Sequence, residues 1–285
     1  MTQNLIVQSP AISPEHVEML AALARAQGVH RMTACAARLI DVSADDSVVK
    51  EVTEYAMAQQ IDTAWVPAGR LLSSCKLLAM DMDSTLINIE CIDELADLAG
   101  RKAAVAEITE AAMRGEITDF ADSLRRRVKL LAGLPAEALE RVYTERLRLN
   151  PGAETLVSTA RAAGLKVLLV SGGFTFFTAR LAERLNLDAA YANELVIDAS
   201  GRLTGEVEGR ILDAAAKQAY VESLAAELDA GREQIIAIGD GANDLKMLGV
   251  AAWSVAYRAK PVVRAQTRYA LNVSGLDAVL NWFDA

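Results

Sequence analysis

Two carboxylates, Asp81 and Asp83, stand directly after the apolar run Leu77-Leu78-Ala79-Met80, in the segment Asp81-Met82-Asp83-Ser84-Thr85. A short apolar run of this kind reads as a buried strand, and the carboxyl ends of strands are where α/β sheets bind and transform ligands. In an extended segment, residues two apart leave the backbone on the same side, so both carboxylates can address one metal-bound phosphate. One can attack while the other handles protons. An acidic turn after a buried strand would carry the same DxDxT letters, so the reading depends on what accompanies them.

Two further apolar runs end in polar groups suited to the same chemistry. Lys166-Val167-Leu168-Leu169-Val170 leads into Ser171-Gly172-Gly173, and Ile235-Ile236-Ala237-Ile238 leads into Gly239-Asp240-Gly241-Ala242-Asn243-Asp244, with Lys217 between them. The glycines after Ser171 let backbone amides approach a phosphate oxygen. The Ser171 hydroxyl reads as a hydrogen-bond donor, since no histidine is near to make it a nucleophile. Lys217 follows Asp213 by one helical turn, which leaves a surface ion pair as its alternative reading. Asp240 and Asp244 are ordinary turn residues by type, but a second carboxylate pair at a strand end favours a divalent cation.

Composition narrows the chemistry. The net charge is −9 and the histidines are two, His16 and His30, neither near a motif. That argues against a nucleic-acid footprint and against a histidine base or zinc site. Cys35, Cys75 and Cys91 are odd in number and outside any CxxC spacing, which fits a reducing cytoplasm and no disulfide framework. No apolar run approaches the ~18 residues of a membrane span, so a soluble, cytoplasmic protein without nucleic-acid or membrane partners is expected.

The elements that must position these residues fall into two blocks. Residues 1–72 alternate a strand over 5–7, a helix over 14–26, a strand over 31–42, a helix over 46–59 and a strand over 63–66. They carry no catalytic motif and suggest a small α+β sandwich for regulation or dimerisation. Residues 73–285 alternate strand and helix as a doubly wound parallel sheet does. A purely helical stretch of about four segments, at about 90–149, interrupts that block directly after the first catalytic strand. Residues 193–211 form a hairpin around Ala199-Ser200-Gly201-Arg202, expected to lie on the surface without a chemical role.

The order DxDxT, strand-terminal Ser, Lys, GDGxND resembles the haloacid dehalogenase superfamily of phosphohydrolases. The segments DMDSTLINIECIDELADLAG, SLRRRVKLLAGLP, VSGGF, LTGEVEG and GDGANDLKML resemble its phosphoserine phosphatase family, from about residue 71 to the end. The resemblance implies an α/β, Rossmann-like core with a helical cap over the site and an N-terminal extension like the amino-acid-binding ACT modules. It implies Mg2+ held by Asp81, Asp240 and the main-chain carbonyl of Asp83, with Asp244 behind them. Asp81 is then the nucleophile, giving an aspartyl-phosphate, and Asp83 the general acid and base. Ser171, Gly172, Lys217 and Asn243 would bind phosphate, Glu90 the substrate ammonium, and Met113 and Phe120 an apolar wall.

Arg127 can also be placed by geometry. On a helix over 119–131, Phe120, Leu124, Arg127 and Leu131 share one stripe, while Arg125 and Arg126 point elsewhere. A guanidinium on that stripe invites a substrate carboxylate. The expected reaction is hydrolysis of O-phospho-L-serine, the last step of serine biosynthesis, with the N-terminal block open to either a regulatory role or the formation of a homodimer. The same motifs fit transfer of the phosphoryl group to another hydroxy amino acid such as homoserine, and an amino-acid-sensing regulatory protein is the rival of a different class.

Overall fold

The computed structural model describes residues 3–284, apart from the side chain of Met113. The first elements are β1 (Gln3–Gln8), α1 (Pro14–Leu23), β2 (Gly28–Arg31), β3 (Ala36–Ile40), α2 (Asp46–Ala58) and β4 (Asp62–Pro67). Helix α1 starts where it does because the Ser13 side chain accepts from the His16 N–H and Pro14 occupies the first turn. The sheet runs β2-β3-β1-β4, antiparallel throughout, and its helices cover a core built on Leu5, Val7, Leu20 and Val52.

The single strand expected over 31–42 is a hairpin instead. The chain reverses at Met32-Thr33-Ala34-Cys35, where the Met32 and Thr33 N–H groups both donate to the Ala36 carbonyl. Arg31 splints the reversal by donating to the carbonyls of Thr33 and Ala34. None of the four turn residues is Gly, Pro, Asn or Asp, so the turn carries no compositional mark.

The remaining strands are β5 (Leu77–Met80), β6 (Lys166–Phe174), β7 (Ala189–Ile197), β8 (Leu203–Glu208), β9 (Ile235–Gly239), β10 (Trp253–Tyr257) and β11 (Tyr269–Leu271). The helices between them are α3 (Cys91–Leu98), α4 (Lys102–Met113), α5 (Phe120–Lys129), α6 (Glu137–Arg141), α7 (Ala153–Ala162), α8 (Thr175–Leu185), α9 (Ala214–Glu227), α10 (Leu245–Val250) and α11 (Pro261–Arg264). The seven-stranded sheet has the order β11-β10-β9-β5-β6-β7-β8, parallel except where β8 returns against β7. Both of its faces are covered: Leu78 and Met80 join one apolar cluster, Leu77 and Ala79 the other. That explains why the strands read as continuous apolar runs rather than as alternation. The chain leaves β5 toward β6 on one side and later adds β9 on the other, so a crevice opens between the carboxyl ends of β5 and β9.

Helices α3 to α6 lie between β5 and β6, and two antiparallel passes tie this insert to the sheet. Ile87 bridges Leu149, the Asn88 N–H donates to the Arg148 carbonyl, and the Arg148 N–H donates back to Asn88 Oδ1. Beside this neck the buried Asn150 amide donates to the carbonyls of Ser84, Thr85 and Ile87. The N-terminal sheet sits at the other end of the molecule, with β4 beside β11. There buried Asp62 accepts from the N–H groups of Asn272, Val273 and Ser274, and Arg38 pairs with Asp284.

Asn150→Ala should leave three carbonyls short of a donor and lower the unfolding free energy by about 2–4 kcal/mol. Urea unfolding measures it; a loss near zero would mean that the neck does not depend on this amide.

Candidate active site

Strand β5 ends at Met80, and the chain does not continue extended through Asp83 as the sequence suggests. Residues Met82–Leu86 form one wide turn closed by Ile87 N–H to Met82 O, with Asp83 extended (ψ 135°) and Ser84 left-handed (φ 56°). The turn, and not strand alternation, therefore aims Asp83. Ser84 pays for its strained backbone with two bonds: its hydroxyl donates to Glu90 Oε1 at 2.6 Å and its carbonyl accepts from Asn150. Thr85, fully buried, donates to Asp240 Oδ1 at 2.7 Å and so joins the turn after β5 to the loop after β9.

Lys217 reaches the crevice from α9, whose start is capped by the Asp213 side chain accepting from the Ala216 N–H. It is 1% exposed, and its Nζ stands 2.7 Å from Asp81 Oδ1 and 2.7 Å from Asp244 Oδ1. A surface pair with Asp213 is thus not what this lysine makes. Asp244 is itself fully engaged, because Oδ2 accepts from the Asp240 and Gly241 N–H groups. Asp81 Oδ1 has no hydrogen-bond partner beyond that ion pair. Asp81, Asp240 and Asp244 each bring one oxygen within 4.8 Å of the others. An all-oxygen carboxylate set of this kind fits a hard divalent cation and offers nothing to a metal that prefers sulfur or imidazole.

Strand β6 loses its register with β7 between Val170 and Phe174, and the Ser171-Gly172-Gly173 segment bulges there as a loop within the strand's own length. The Ser171 hydroxyl is buried and accepts from the Gly173 N–H. A Cβ on Gly173 would stand 2.7 Å from Asp83 Oδ2 and 2.7 Å from Met82 Cε, so a side chain there would displace Asp83 and Met82 from the positions they hold. Phe120, at the start of α5, stands over the same loop, within 3.0 Å of where a Cβ on Gly172 would be. Asn243 is half-buried in the loop after β9.

Above the crevice, Asp119 caps α5 by accepting from the Ala121 N–H. Leu124 and Val128 are buried, Arg125 and Arg126 are exposed, and Arg127 is half-buried with only the Ser123 carbonyl as a hydrogen-bond acceptor. Burial lowers the Arg127 guanidinium from its ordinary value, while Asp93, Glu90 and Asp83 pull it back up. Glu90 is open to solvent on one side yet crowded enough by protein that its carboxyl is held above the usual range, against the pull of the Ser84 hydroxyl. The Met113 side chain lies outside the described residues.

Negative charge is crowded here. Burial first, then Asp244 and Asp240, hold the Asp81 carboxyl well above its ordinary value against the opposing pull of Lys217. Asp83 is pushed up to about 8 by burial and then by Glu90, and Asp240 to about 7 by burial and then by Asp244. For Lys217 burial works against the charge, but Asp244 and Asp81 outweigh it and hold the ammonium above its usual range. Sequence reasoning passed over Thr85, Ser84, Asn150 and Asn193, whose side chains join one loop of this site to another. Of these, Thr85 at least had a signal, as the fifth residue of the DxDxT segment.

The family model of haloacid dehalogenase-like hydrolases matches residues 78–249, from β5 into α10, and the chain belongs to that family. A separate model, for a domain of unknown function, matches residues 5–48. The chain is similar to named phosphoserine phosphatases: it is 54% identical over 212 residues to the one from a Polaromonas species, covering 73% of this chain and 90% of the relative. The crystal structure of a probable phosphoserine phosphatase from Vibrio cholerae, unliganded, is 37% identical and superimposes with a TM-score of 0.83 over 98% of this chain and 86% of that one. A substrate-bound phosphoserine phosphatase complex, 38% identical, gives 0.68 over 74% of this chain and 99% of its own. The chain is an enzyme of the phosphatase type, and no described helix is long and apolar enough to cross a membrane.

The crowding has a measurable consequence in metal-free protein. A carboxyl raised in the folded state binds protons there that the unfolded chain releases near pH 4, so its contribution to stability is present at low pH and is lost as pH rises through its folded value. With Asp83 at about 8, Asp83→Asn in EDTA should gain stability relative to wild type between pH 6 and pH 8, by about 2 kcal/mol. Urea unfolding at the two pH values reads this; a difference that stays constant would show that Asp83 is not raised.

Proposed function

We propose that this chain is a Mg2+-dependent phosphoserine phosphatase that hydrolyses O-phospho-L-serine to L-serine and phosphate through an aspartyl-phosphate, the last step of serine biosynthesis, in the reducing cytoplasm that its free cysteines suit. The observation that carries the reading is the buried Lys217, which meets Asp81 and Asp244 at once beside Asp240. Similarity to named phosphoserine phosphatases at 54% identity supports the substrate.

Asp81 and Asp240, with the main-chain carbonyl of Asp83, would hold the magnesium, and Asp244, whose own oxygens are already engaged, would steady its water ligands. When bound, the ion offsets the charge of phosphate and carboxylate that would otherwise repel each other. Lys217 holds the Asp81 carboxylate in place and adds a positive charge for a phosphate oxygen. Ser171, Gly172 and Asn243 supply hydrogen-bond donors to the remaining oxygens. Asp81 attacks phosphorus and the serine oxygen leaves. Asp83, whose carboxyl burial and Glu90 push upward in the metal-free protein, gives that oxygen its proton and then takes one from the water that cleaves the acyl phosphate. Division into two steps matters because uncatalysed phosphate monoester hydrolysis needs accelerations of up to ~10²¹.

Glu90 and Arg127 present opposite charges above the crevice, as an ammonium and a carboxylate require, with Phe120 as the apolar wall between cap and phosphate loop. The N-terminal block supplies none of these groups and is read as a regulatory or dimerising unit.

Phosphate release assayed across phosphoserine, phosphothreonine and sugar phosphates, with magnesium or EDTA, should show phosphoserine leading and EDTA abolishing turnover. A sugar phosphate in first place, or full activity in EDTA, would refute the reading. Arg127→Ala removes a charge-assisted contact and should cost phosphoserine about 2–5 kcal/mol in kcat/KM. Phosphoethanolamine, which lacks the carboxylate, should lose far less; equal losses would mean that Arg127 supports the cap and does not choose the substrate.

A further inference from the structure

The hairpin of β7 and β8 has no place in the chemistry above, yet it touches both halves of the site. At its base, buried Asn193 on β7 donates from Nδ2 to the Gly172 carbonyl at 2.8 Å, while its Oδ1 accepts from the Leu212 N–H at 2.7 Å. One amide thus ties the phosphate loop to the segment that leads into α9 and Lys217. On the other strand β8 is not free. The Gly133 N–H donates to the Leu203 carbonyl at 2.8 Å, the Leu203 N–H donates to the Leu134 carbonyl at 2.9 Å, and the Ala136 N–H donates to the Gly201 carbonyl at 2.8 Å. Arg202 adds a bond from its guanidinium to the Gly133 carbonyl at 2.8 Å. The chain between α5 and α6 is therefore docked, strand-like, on the hairpin, which is not the unengaged surface hairpin that its sequence suggests.

The closest approach is at Gly205. Register between β7 and β8 slips between Leu195 and Ile197, a bulge that puts Gly205 out of line at φ +85°. A Cβ there would lie 2.9 Å from the Ala132 Cβ and 3.2 Å from both the Cα and carbonyl oxygen of Lys129, so the backbone of β8 meets the last turn of α5 directly. Arg127 sits on that turn. A bulge is a device for re-aiming a strand, and a glycine in it admits a second backbone.

We propose that the β7–β8 hairpin is a spacer that fixes the separation between the phosphate loop and Arg127, and so selects substrates by the distance from their phosphate to their carboxylate. This rests on the reading of Arg127 as the carboxylate partner. Asn193 is a positioning residue for the phosphate end and Gly205 for the carboxylate end. The neck at Ile87 and Leu149 and the Arg180–Glu140 ion pair between α8 and α6 also tie the insert to the core, but neither involves α5.

The test compares kcat/KM for phosphoserine and phosphoethanolamine in the full-length, magnesium-loaded enzyme. Gly205→Ala pushes α5 away and should cost phosphoserine about tenfold or more, with phosphoethanolamine nearly unchanged, since misplacement by about an ångström suffices for such losses. Ala136→Pro removes one docking N–H at a φ of −61° that proline accepts, and should shift the substrate ratio in the same direction by a smaller factor even if the Gly205 variant fails to fold. Asn193→Ala should lower both substrates alike. If Arg127→Ala changes the ratio while neither Gly205→Ala nor Ala136→Pro does, the spacer is refuted and the Arg127 reading stands. If Arg127→Ala leaves the ratio unchanged, the carboxylate reading falls and the spacer falls with it.

Discussion

A single buried ammonium holds this site together. Lys217 lies between Asp81 and Asp244 with its Nζ 2.7 Å from each, at the point where the order of the strands reverses. Enclosing an ion pair costs several kcal/mol per ion unless the geometry is good and the remaining oxygens are satisfied. Here Asp244 is satisfied by two backbone N–H groups as well as the lysine, while Asp81 Oδ1 has the lysine alone as its partner. Asp244 is therefore held by three donors and Asp81 by one. The surplus of carboxylates over the one lysine is a standing electrostatic cost, which a divalent cation on oxygen ligands would offset.

Such crowding persists only on a scaffold that leaves it no room to relax. The sheet contributes three adjacent strand ends, β9, β5 and β6, each anchored in an apolar core on both faces. Cross-links then join the loops to each other: Thr85 to Asp240, Ser84 to Glu90, Asn150 to the turn after β5, Asn193 to the phosphate loop. These are neutral or singly charged side chains, inexpensive to bury once paired. They make the spacing of the charged groups a property of the fold, which preorganised electrostatic catalysis requires.

Much of this was legible in the residues. The apolar runs before Asp81, Ser171 and Asp240 marked the strand ends, because strands covered on both faces must be continuously apolar, and the helical stretch after β5 showed itself by its period. The β2–β3 hairpin was hidden, since Met32-Thr33-Ala34-Cys35 reverses through hydrogen bonds to Ala36 and an arginine splint, with no turn-forming residue. The wide turn at Met82–Leu86 was hidden too: Ser84 adopts a left-handed backbone because Glu90 and Asn150, 6 and 66 residues away, hold it there. The docking of β8 on the insert was equally illegible, a contact between edges that leaves in the sequence only a glycine at position 205.

The account stands most directly on the identity of the nucleophile. Turnover of phosphoserine quenched in acid, reduced with borohydride and mapped by peptide mass spectrometry reports where an acyl phosphate formed, because reduction converts an aspartyl-phosphate into homoserine. The account predicts homoserine at position 81 in the wild-type enzyme and none in Asp81→Asn. Phosphate retained on Ser171, or reduction at Asp83 or Asp240 with Asp81 intact, would contradict it.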